Sequence, residues 1–185
     1  MTPLRLIAIG SVNQGVMEYL TLVLPDSTGL PCVRAPWVIN YTEAYLNERG
    51  QYHSTRLLDM IERQADGARA SGPCLGVTEL DLAVPILTFL FGEARLQGRC
   101  AVVSAHRLRQ PFYGLPCNSS LLLHRVEKES LHELGHLAGL RHCRLSSCVM
   151  AFSTSVEHVD LKEAAFCEGC LPVFEAWARG WRNRP

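Results

Sequence analysis

One segment in the last third of the chain constrains the fold more than any other, because it requires a helix, a turn and a returning loop in that order. From position 132 to 143 it reads H-E-L-G-H-L-A-G-L-R-H-C. His132 and His136 are four residues apart, so both imidazoles project from one face of an α-helix. Gly139 adopts positive φ at no steric cost and is predicted to end that helix. The chain then returns and brings His142 toward the same two side chains.

Three convergent imidazoles form the ligand set of a catalytic zinc ion, because they leave the fourth tetrahedral position to water. Glu133 lies beside the first ligand, where its carboxylate can reach that water without binding the metal. The pattern therefore predicts peptide-bond hydrolysis, with zinc activating the water and Glu133 acting as general base and then general acid. Two ordinary helical histidines are the alternative interpretation, but Gly139 and His142 at the required offsets make the full pattern much more demanding.

A cysteine cluster follows this segment. Cys143, Cys148, Cys167 and Cys170 form two pairs, and four thiolates fit the closed tetrahedral site of a structural zinc ion. Free thiols or one disulfide are the alternatives. Cys143 directly follows His142, so loss of the structural metal is expected to loosen the third histidine. We therefore predict two Zn²⁺ per chain, one catalytic and one structural.

The positions of two further residues near the motif are also predicted. Met150 follows His142 by eight residues and is expected to lie in a tight turn, as an apolar floor beneath the histidines. A methionine that fills the core is compatible with the same position. Glu129 lies one helical turn before Glu133 and is interpreted as a solvent-exposed helix residue, with a position near the metal site as the alternative.

Length and composition favour one globular domain of the cytoplasm. The chain has 185 residues, of which 48% are hydrophobic and 19% charged. Lys+Arg and Asp+Glu both number 18, and this neutral balance without a basic stripe argues against a nucleic-acid partner. The sequence contains no apolar run of membrane-spanning length, and its apolar start is too short for a secretory signal. We expect a monomer in the cytoplasm, without a membrane or nucleic-acid partner.

Hydrophobic periodicity and turn residues predict an α/β arrangement. Strands are expected over 4–11, 32–34, 75–82, 89–96 and 100–104, helices over 15–24, 54–66 and 120–139, and loops over 40–53 and 110–117. Ser54 is the predicted N-cap of the second helix, and Gly67 its terminator. The two strands around Gly98 suit a hairpin, which places an antiparallel strand at an edge of an otherwise parallel sheet.

The complete motif resembles that of the archaemetzincins, zinc metallopeptidases of the metzincin clan. Their pattern is H-E-x-x-H-x-x-G-x-x-H-C, four residues, Cys-x-Met, a spacer and Cys-x-x-Cys. The matching positions here are His132, Glu133, His136, Gly139, His142, Cys143, Cys148, Met150, Cys167 and Cys170. The clear likeness covers roughly residues 74–170.

The resemblance implies a metzincin-like zincin domain of the α/β class. Such a domain has a twisted mixed β-sheet with an antiparallel edge strand, helices behind it, an active-site helix and a small zinc-clipped C-terminal subdomain. We expect one catalytic domain over 1–185, divided into 1–139 and 140–185. The implied substrate is a peptide or protein. A zinc-stabilised protein that binds peptides with little or no turnover is the alternative, and the presence of Glu133 argues against it.

Overall fold

Strands and helices alternate along the first two thirds of the chain, and helices dominate the remainder. The computed structural model describes residues 2–184. Its strands are β1 (Leu4–Ile9), β2 (Cys32–Arg34), β3 (Tyr45–Leu46), β4 (Gln51–His53), β5 (Cys74–Thr78), β6 (Leu82–Val84), β7 (Leu87–Leu90), β8 (Gly92–Ala94) and β9 (Cys100–Ser104). Its α-helices are α1 (Gln14–Thr28), α2 (Ser54–Gly67), α3 (Ser119–Leu137), α4 (Val156–Leu161) and α5 (Leu171–Arg182).

The larger sheet has the strand order β2-β1-β5-β9-β8. Its first four strands are parallel, and β5 and β9 are buried along their whole length, as their continuous apolar sequences require. Strand β8 is antiparallel to β9, with Gly92 opposite Val103 and Ala94 opposite Ala101. The mixed α/β sheet with an antiparallel edge strand is therefore confirmed.

A second sheet, which the sequence did not predict, has the strand order β3-β4-β6-β7. The expected loop over 40–53 was wrong, because it contains a 3₁₀ turn at Tyr41–Ala44 followed by β3 and β4. The predicted strand over 75–82 ends at Thr78, and the one over 89–96 is split between the two sheets as β7 and β8. Strands of two to four residues are too short to show an alternating pattern.

Helix α3 carries the histidine motif and ends where the sequence predicts. Its N-cap is Asn118, whose side chain accepts a hydrogen bond from the Leu121 N–H, and Gly139 has a φ of 92° just beyond its last residue. Two other helix ends differ from the prediction. Helix α1 continues through Pro25 to Thr28, and the N-cap of α2 is His53, because the Ser54 hydroxyl instead bonds to the Glu93 carboxylate.

Gly67 does not turn the chain at the end of α2. The left-handed residue there is Arg69, with a φ of 49°. Helix α2 covers one face of the larger sheet, whereas α1 and α3 share a buried cluster on the other. Val149, Met150 and Phe174 belong to the α1–α3 cluster, so the segment after Gly139 packs against the same core. Within residues 2–184, none of the helices has the length and apolarity needed to cross a membrane.

Candidate active site

The three motif histidines converge at the C-terminal end of α3. The Nε2 atoms of His132 and His136 are 3.1 Å apart, and one ring nitrogen of each of the three residues lies within 4.8 Å of the others. The ring of His142 is 5.3 Å from that of His132 and 5.1 Å from that of His136, between centroids. Two nitrogens bound to one tetrahedral zinc ion at about 2.0–2.1 Å are about 3.4 Å apart. The spacing of the imidazoles therefore fits one zinc ion.

Backbone carbonyls fix the tautomer of two of these rings. Nδ1 of His132 lies 2.8 Å from the Val149 carbonyl oxygen, and Nδ1 of His136 lies 2.8 Å from that of Leu140. A carbonyl oxygen only accepts hydrogen bonds, so both Nδ1 atoms carry the proton. Each Nε2 is left with its lone pair directed at the common position, which is the form that binds a metal.

Burial favours the neutral form of the histidines. It lowers the pKa of His132 well below its ordinary value, and the nearby Lys162 ammonium lowers it further. Burial also lowers the pKa of His136 and of His142. Each of these shifts favours the unprotonated ring, which is the form that metal ligation requires.

Glu133 follows His132 in α3, and its side chain packs against Gly92 of strand β8. Its carboxyl group is buried, which raises its pKa well above the ordinary value, and the negative charge of Glu129 adds to this shift. Among residues 2–184, Glu133 Oε2 has no hydrogen-bond partner. The side chain occupies the space that a Cβ at Gly92 would need, since that atom would lie 2.7 Å from Glu133 Oε1. A buried carboxyl group with an unused oxygen beside three imidazoles suits a general base.

A buried ion pair lies behind the first histidine. Lys162 Nζ is 3.0 Å from Glu129 Oε1 and 3.4 Å from His132 Nδ1. The side chains of Lys162 and Glu129 are 1% and 4% exposed. The interpretation of Glu129 as an exposed helix residue was therefore wrong, because Lys162 from the segment after α4 covers that turn of α3.

The four clustered cysteines lie together beside His142. Their Sγ atoms are within 4.8 Å of one another, and the Sγ atoms of Cys143 and Cys167 are 3.8 Å apart. Two thiolates on one tetrahedral zinc ion at about 2.3 Å are about 3.8 Å apart. Backbone hydrogen bonds, led by that of Cys170, lower the pKa of Cys167 to about 7. The separations of the four Sγ atoms fit one bound metal ion, and none of the four cysteines forms a disulfide.

Met150 is fully buried against the last turn of α3, where the histidine motif lies. A Cβ at Gly135 would overlap Met150 Sδ and would lie 3.1 Å from both Met150 Cε and Phe166 Cε1. The Met150 carbonyl accepts a hydrogen bond of 2.8 Å from the Cys143 N–H. The methionine turn thereby contacts the helix between two histidines and is tied to the first cysteine.

The cavity in front of these residues has a volume of about 380 Å³. One wall consists of the consecutive residues Leu87–Ala94, and the floor contains the three histidines with Glu129 and Glu133. Phe152–Thr154 form the opposite side, where the ring of Phe152 lies 4.7 Å from that of His142. A cleft of this shape exposes the histidines to a ligand that lies along β8.

Sequence reasoning missed three residues that shape this site. Gly135 left a signal, since a glycine in a helix interior is unfavourable and points to a close contact. The resemblance to the archaemetzincins also includes Gly92 and Lys162, but the local sequence does not indicate their roles, because these depend on Glu133 and Glu129 packing against them from distant parts of the chain.

Comparison with known proteins identifies the group to which the chain belongs. The model of peptidase family M54 matches residues 11–176. The archaemetzincin of Methanocaldococcus jannaschii is 40% identical over 163 residues, which is 88% of this chain and 87% of that protein. The chain belongs to the archaemetzincin family. Archaemetzincins are zinc metallopeptidases, so the fold and the motif described above match the chemistry of the family.

Solved archaemetzincin structures share the fold of this chain. That from Archaeoglobus fulgidus, complexed with malonate, has a TM-score of 0.80 at 35% identity and covers 93% of this chain and 99% of its own. That from Methanopyrus kandleri has a TM-score of 0.79 at 34% identity, with coverages of 99% and 96%. The structural likeness extends over nearly the whole chain, including the part before residue 74 that lies outside the clear sequence likeness.

Proposed function

We propose that this archaemetzincin hydrolyses peptide bonds with a zinc ion held by His132, His136 and His142 and with Glu133 as general base and acid. The observation that carries the proposal is the 3.1 Å separation of the His132 and His136 Nε2 atoms, with both Nδ1 protons given to carbonyls. That arrangement leaves two lone pairs directed at one point, and His142 lies next to it. A fourth tetrahedral position remains for a water molecule.

The residues of the chain then divide the proton transfers between them. When bound, zinc polarises the scissile carbonyl and lowers the pKa of the water in its open position to about 7. Glu133 accepts a proton from the water as the water oxygen attacks the carbonyl carbon. The same carboxyl group donates that proton to the amine nitrogen as the C–N bond breaks. Burial of Glu133 favours the first of these transfers, because a carboxylate with a raised pKa accepts a proton more readily.

An extended peptide is the proposed substrate, bound along β8. The Phe91 carbonyl accepts a hydrogen bond from the Ser104 N–H, and the Arg95 N–H donates to the Cys100 carbonyl. Backbone groups alternate in direction along an antiparallel strand, so those of Gly92 and Ala94 face the cleft. A substrate strand can pair with these groups, and two small residues allow it to approach closely.

We also propose a structural zinc ion at Cys143, Cys148, Cys167 and Cys170. Such an ion would stabilise the subdomain over 140–185, which has few long elements of its own, and would hold the return loop in place. Because Cys143 adjoins His142, the two metal sites are joined by one peptide bond. The proposal therefore gives two Zn²⁺ per chain.

Turnover by a Glu133→Gln variant tests the mechanism. We expect two zinc ions per chain by metal analysis, as in the wild type, and a kcat reduced by about 10²–10⁴-fold on a peptide library. Unchanged kcat in this variant contradicts the role of Glu133. The alternative, a zinc-stabilised peptide-binding protein, predicts instead that the wild type binds library peptides without cleaving them.

A further inference from the structure

The wall of the cleft is longer than the edge strand β8. Strand β8 is the last strand of the larger sheet and β7 the last of the second sheet, and Phe91 is the residue that joins them. All residues of Leu87–Ala94 line the same cavity. Glu133 packs on Gly92, so the catalytic residues face β8, and β7 continues beyond them.

The other end of β8 offers no such continuation. The Gln97 N–H donates a hydrogen bond of 3.0 Å to the His136 carbonyl, and the Gln97 side chain lies against Gly139. The backbone after Ala94 thus turns onto the end of α3, and the space for a longer ligand is on the β7 side. Antiparallel pairing is more stable per residue than parallel pairing, so a substrate strand is expected to run antiparallel to β8. Its residues on the carboxyl side of the scissile bond then follow β7.

Strand β7 is held rigidly by a polar network behind it. Arg107 Nε and Nη2 lie 2.6 and 2.8 Å from the two Asp81 carboxylate oxygens, and the Arg107 guanidinium is 4.5 Å from the centre of the Phe89 ring. Gln51 Nε2 donates to Asp81 at 2.9 Å and to the Thr88 carbonyl at 3.0 Å. The Phe89 ring is therefore held in position before a ligand binds, which lowers the entropy cost of binding.

Three of the four residues of β7 that line the cavity are apolar, Thr88 being the exception. The Phe89 and Phe91 rings meet edge to face at 5.2 Å. Leu87 is 44% exposed, and on the opposite side of the cleft Phe152 is 59% exposed. Aromatic and aliphatic side chains left in contact with water in a cleft are typical of a site for an apolar group.

We propose that β7 is a specificity-determining subsite, in which Phe89 and Leu87 contact a large apolar side chain on the carboxyl side of the scissile bond. This proposal rests on the peptidase function proposed above, and it identifies the substrate as an extended peptide with an apolar residue beyond the one that follows that bond.

Peptide binding to the zinc-loaded Glu133→Gln protein tests the subsite without turnover. The probes are a labelled tetrapeptide and three longer versions of it. Two versions carry four more residues at the carboxyl end, and these residues include Phe in one version and Ser in the other. The third version is lengthened at the amino end, again with Phe. We expect the carboxyl-terminal Phe extension to lower Kd at least about tenfold, the effect of burying one large apolar side chain. The other two extensions should change Kd less than about threefold.

Substitutions in the same background locate the effect. Phe89→Ala is expected to abolish the gain from the carboxyl-terminal Phe extension, and Leu87→Ser, at a more exposed position, to reduce it. The matched control is Phe112→Ala, because that ring packs 4.8 Å from the Arg107 guanidinium but does not line the cavity. It should retain the gain. Equal gains at both peptide ends, or a gain that survives both Phe89→Ala and Leu87→Ser, would overturn the subsite.

The binding series tests the β7 subsite, and the turnover assay tests the peptidase function, so each proposal can be contradicted without the other. A wild type that cleaves no peptide would remove the peptidase function, whereas the Kd series decides the β7 subsite in either case. A wild type that cleaves peptides without the predicted Kd pattern would keep the function and remove the subsite.

Discussion

The contact between Gly135 and Met150 predicts how the stability of the protein changes when a glycine inside a helix is replaced. Replacing glycine by alanine in a helix interior ordinarily stabilises a protein by about 1 kcal/mol, because alanine has the better helix propensity. At Gly135 the added methyl group would overlap Met150 Sδ and press on Phe166. We therefore expect Gly135→Ala to destabilise the protein, although alanine has the better helix propensity.

The magnitude follows from the packing around that methyl group. Met150 is 0% exposed, so its sulfur atom cannot move into solvent. Overpacking of a closed core costs about 1–3 kcal/mol, and three crowded atoms place this site near the upper value. After subtraction of about 1 kcal/mol for propensity, the net loss is about 2 kcal/mol. For a chain of this length the melting temperature should fall by about 4–8 °C.

Denaturant unfolding at a fixed free zinc concentration measures the effect, because bound metal contributes to apparent stability. The matched control is Gly180→Ala in α5, where an added Cβ would meet nothing within 4 Å among the described residues. This variant should gain about 0.5–1 kcal/mol. Chelator competition should also show weaker zinc binding in Gly135→Ala, since the displaced contact lies between His132 and His136.

A double-mutant cycle assigns the loss to the methionine. Met150→Ala alone is expected to cost about 2–5 kcal/mol by leaving a cavity. In the presence of Met150→Ala the alanine at position 135 has room, so the two changes should show a favourable coupling of about 1–3 kcal/mol. A Gly135→Ala protein as stable as the wild type, or a coupling below about 0.5 kcal/mol, would refute the packing argument.

Three further perturbations test other contacts of the site. Lys162→Met leaves Glu129 buried without its cation and should cost about 3–5 kcal/mol in denaturant unfolding; a loss below about 1 kcal/mol contradicts the buried pair. Joint replacement of Cys167 and Cys170 by serine should leave one zinc ion per chain and weaken zinc binding by the histidines about tenfold or more, as chelator competition would show. Two zinc ions in that variant argue against the four-cysteine site. Gly92→Ala places a methyl group 2.7 Å from Glu133 Oε1 and from the Val102 carbonyl oxygen, so kcat should fall about 10²-fold while the zinc content stays at the wild-type value. An undiminished kcat would show that the position of Glu133 is not set by β8.

The parts of the structure that sequence alone predicted are those with local causes. The end of α3 at Gly139 and the antiparallel pairing of β8 with β9 follow from backbone preferences over a few residues. The helix spacing of His132 and His136 is likewise a local property, and their ring centroids are 4.7 Å apart.

The features that were missed depend on contacts between distant segments. Strands β3, β4 and β7 are too short to show a pattern. Arg49 and Gln51 donate hydrogen bonds to backbone carbonyls of β7, which is a contact between distant segments. Serine is favoured at N-caps, but the Ser54 hydroxyl donates a hydrogen bond to the carboxylate of Glu93, which lies in strand β8. In these places tertiary hydrogen bonds override the local preference.

Anomalous diffraction at the zinc absorption edge, from crystals of the zinc-loaded protein, would show whether the three histidines hold one zinc ion with an open position. We expect two peaks per chain. One should lie about 2.0–2.1 Å from the Nε2 atoms of His132 and His136 and from a ring nitrogen of His142, with its fourth position open to solvent, and the other about 2.3 Å from four cysteine sulfurs. A first peak that is missing, or whose fourth ligand is a protein side chain, would contradict this arrangement.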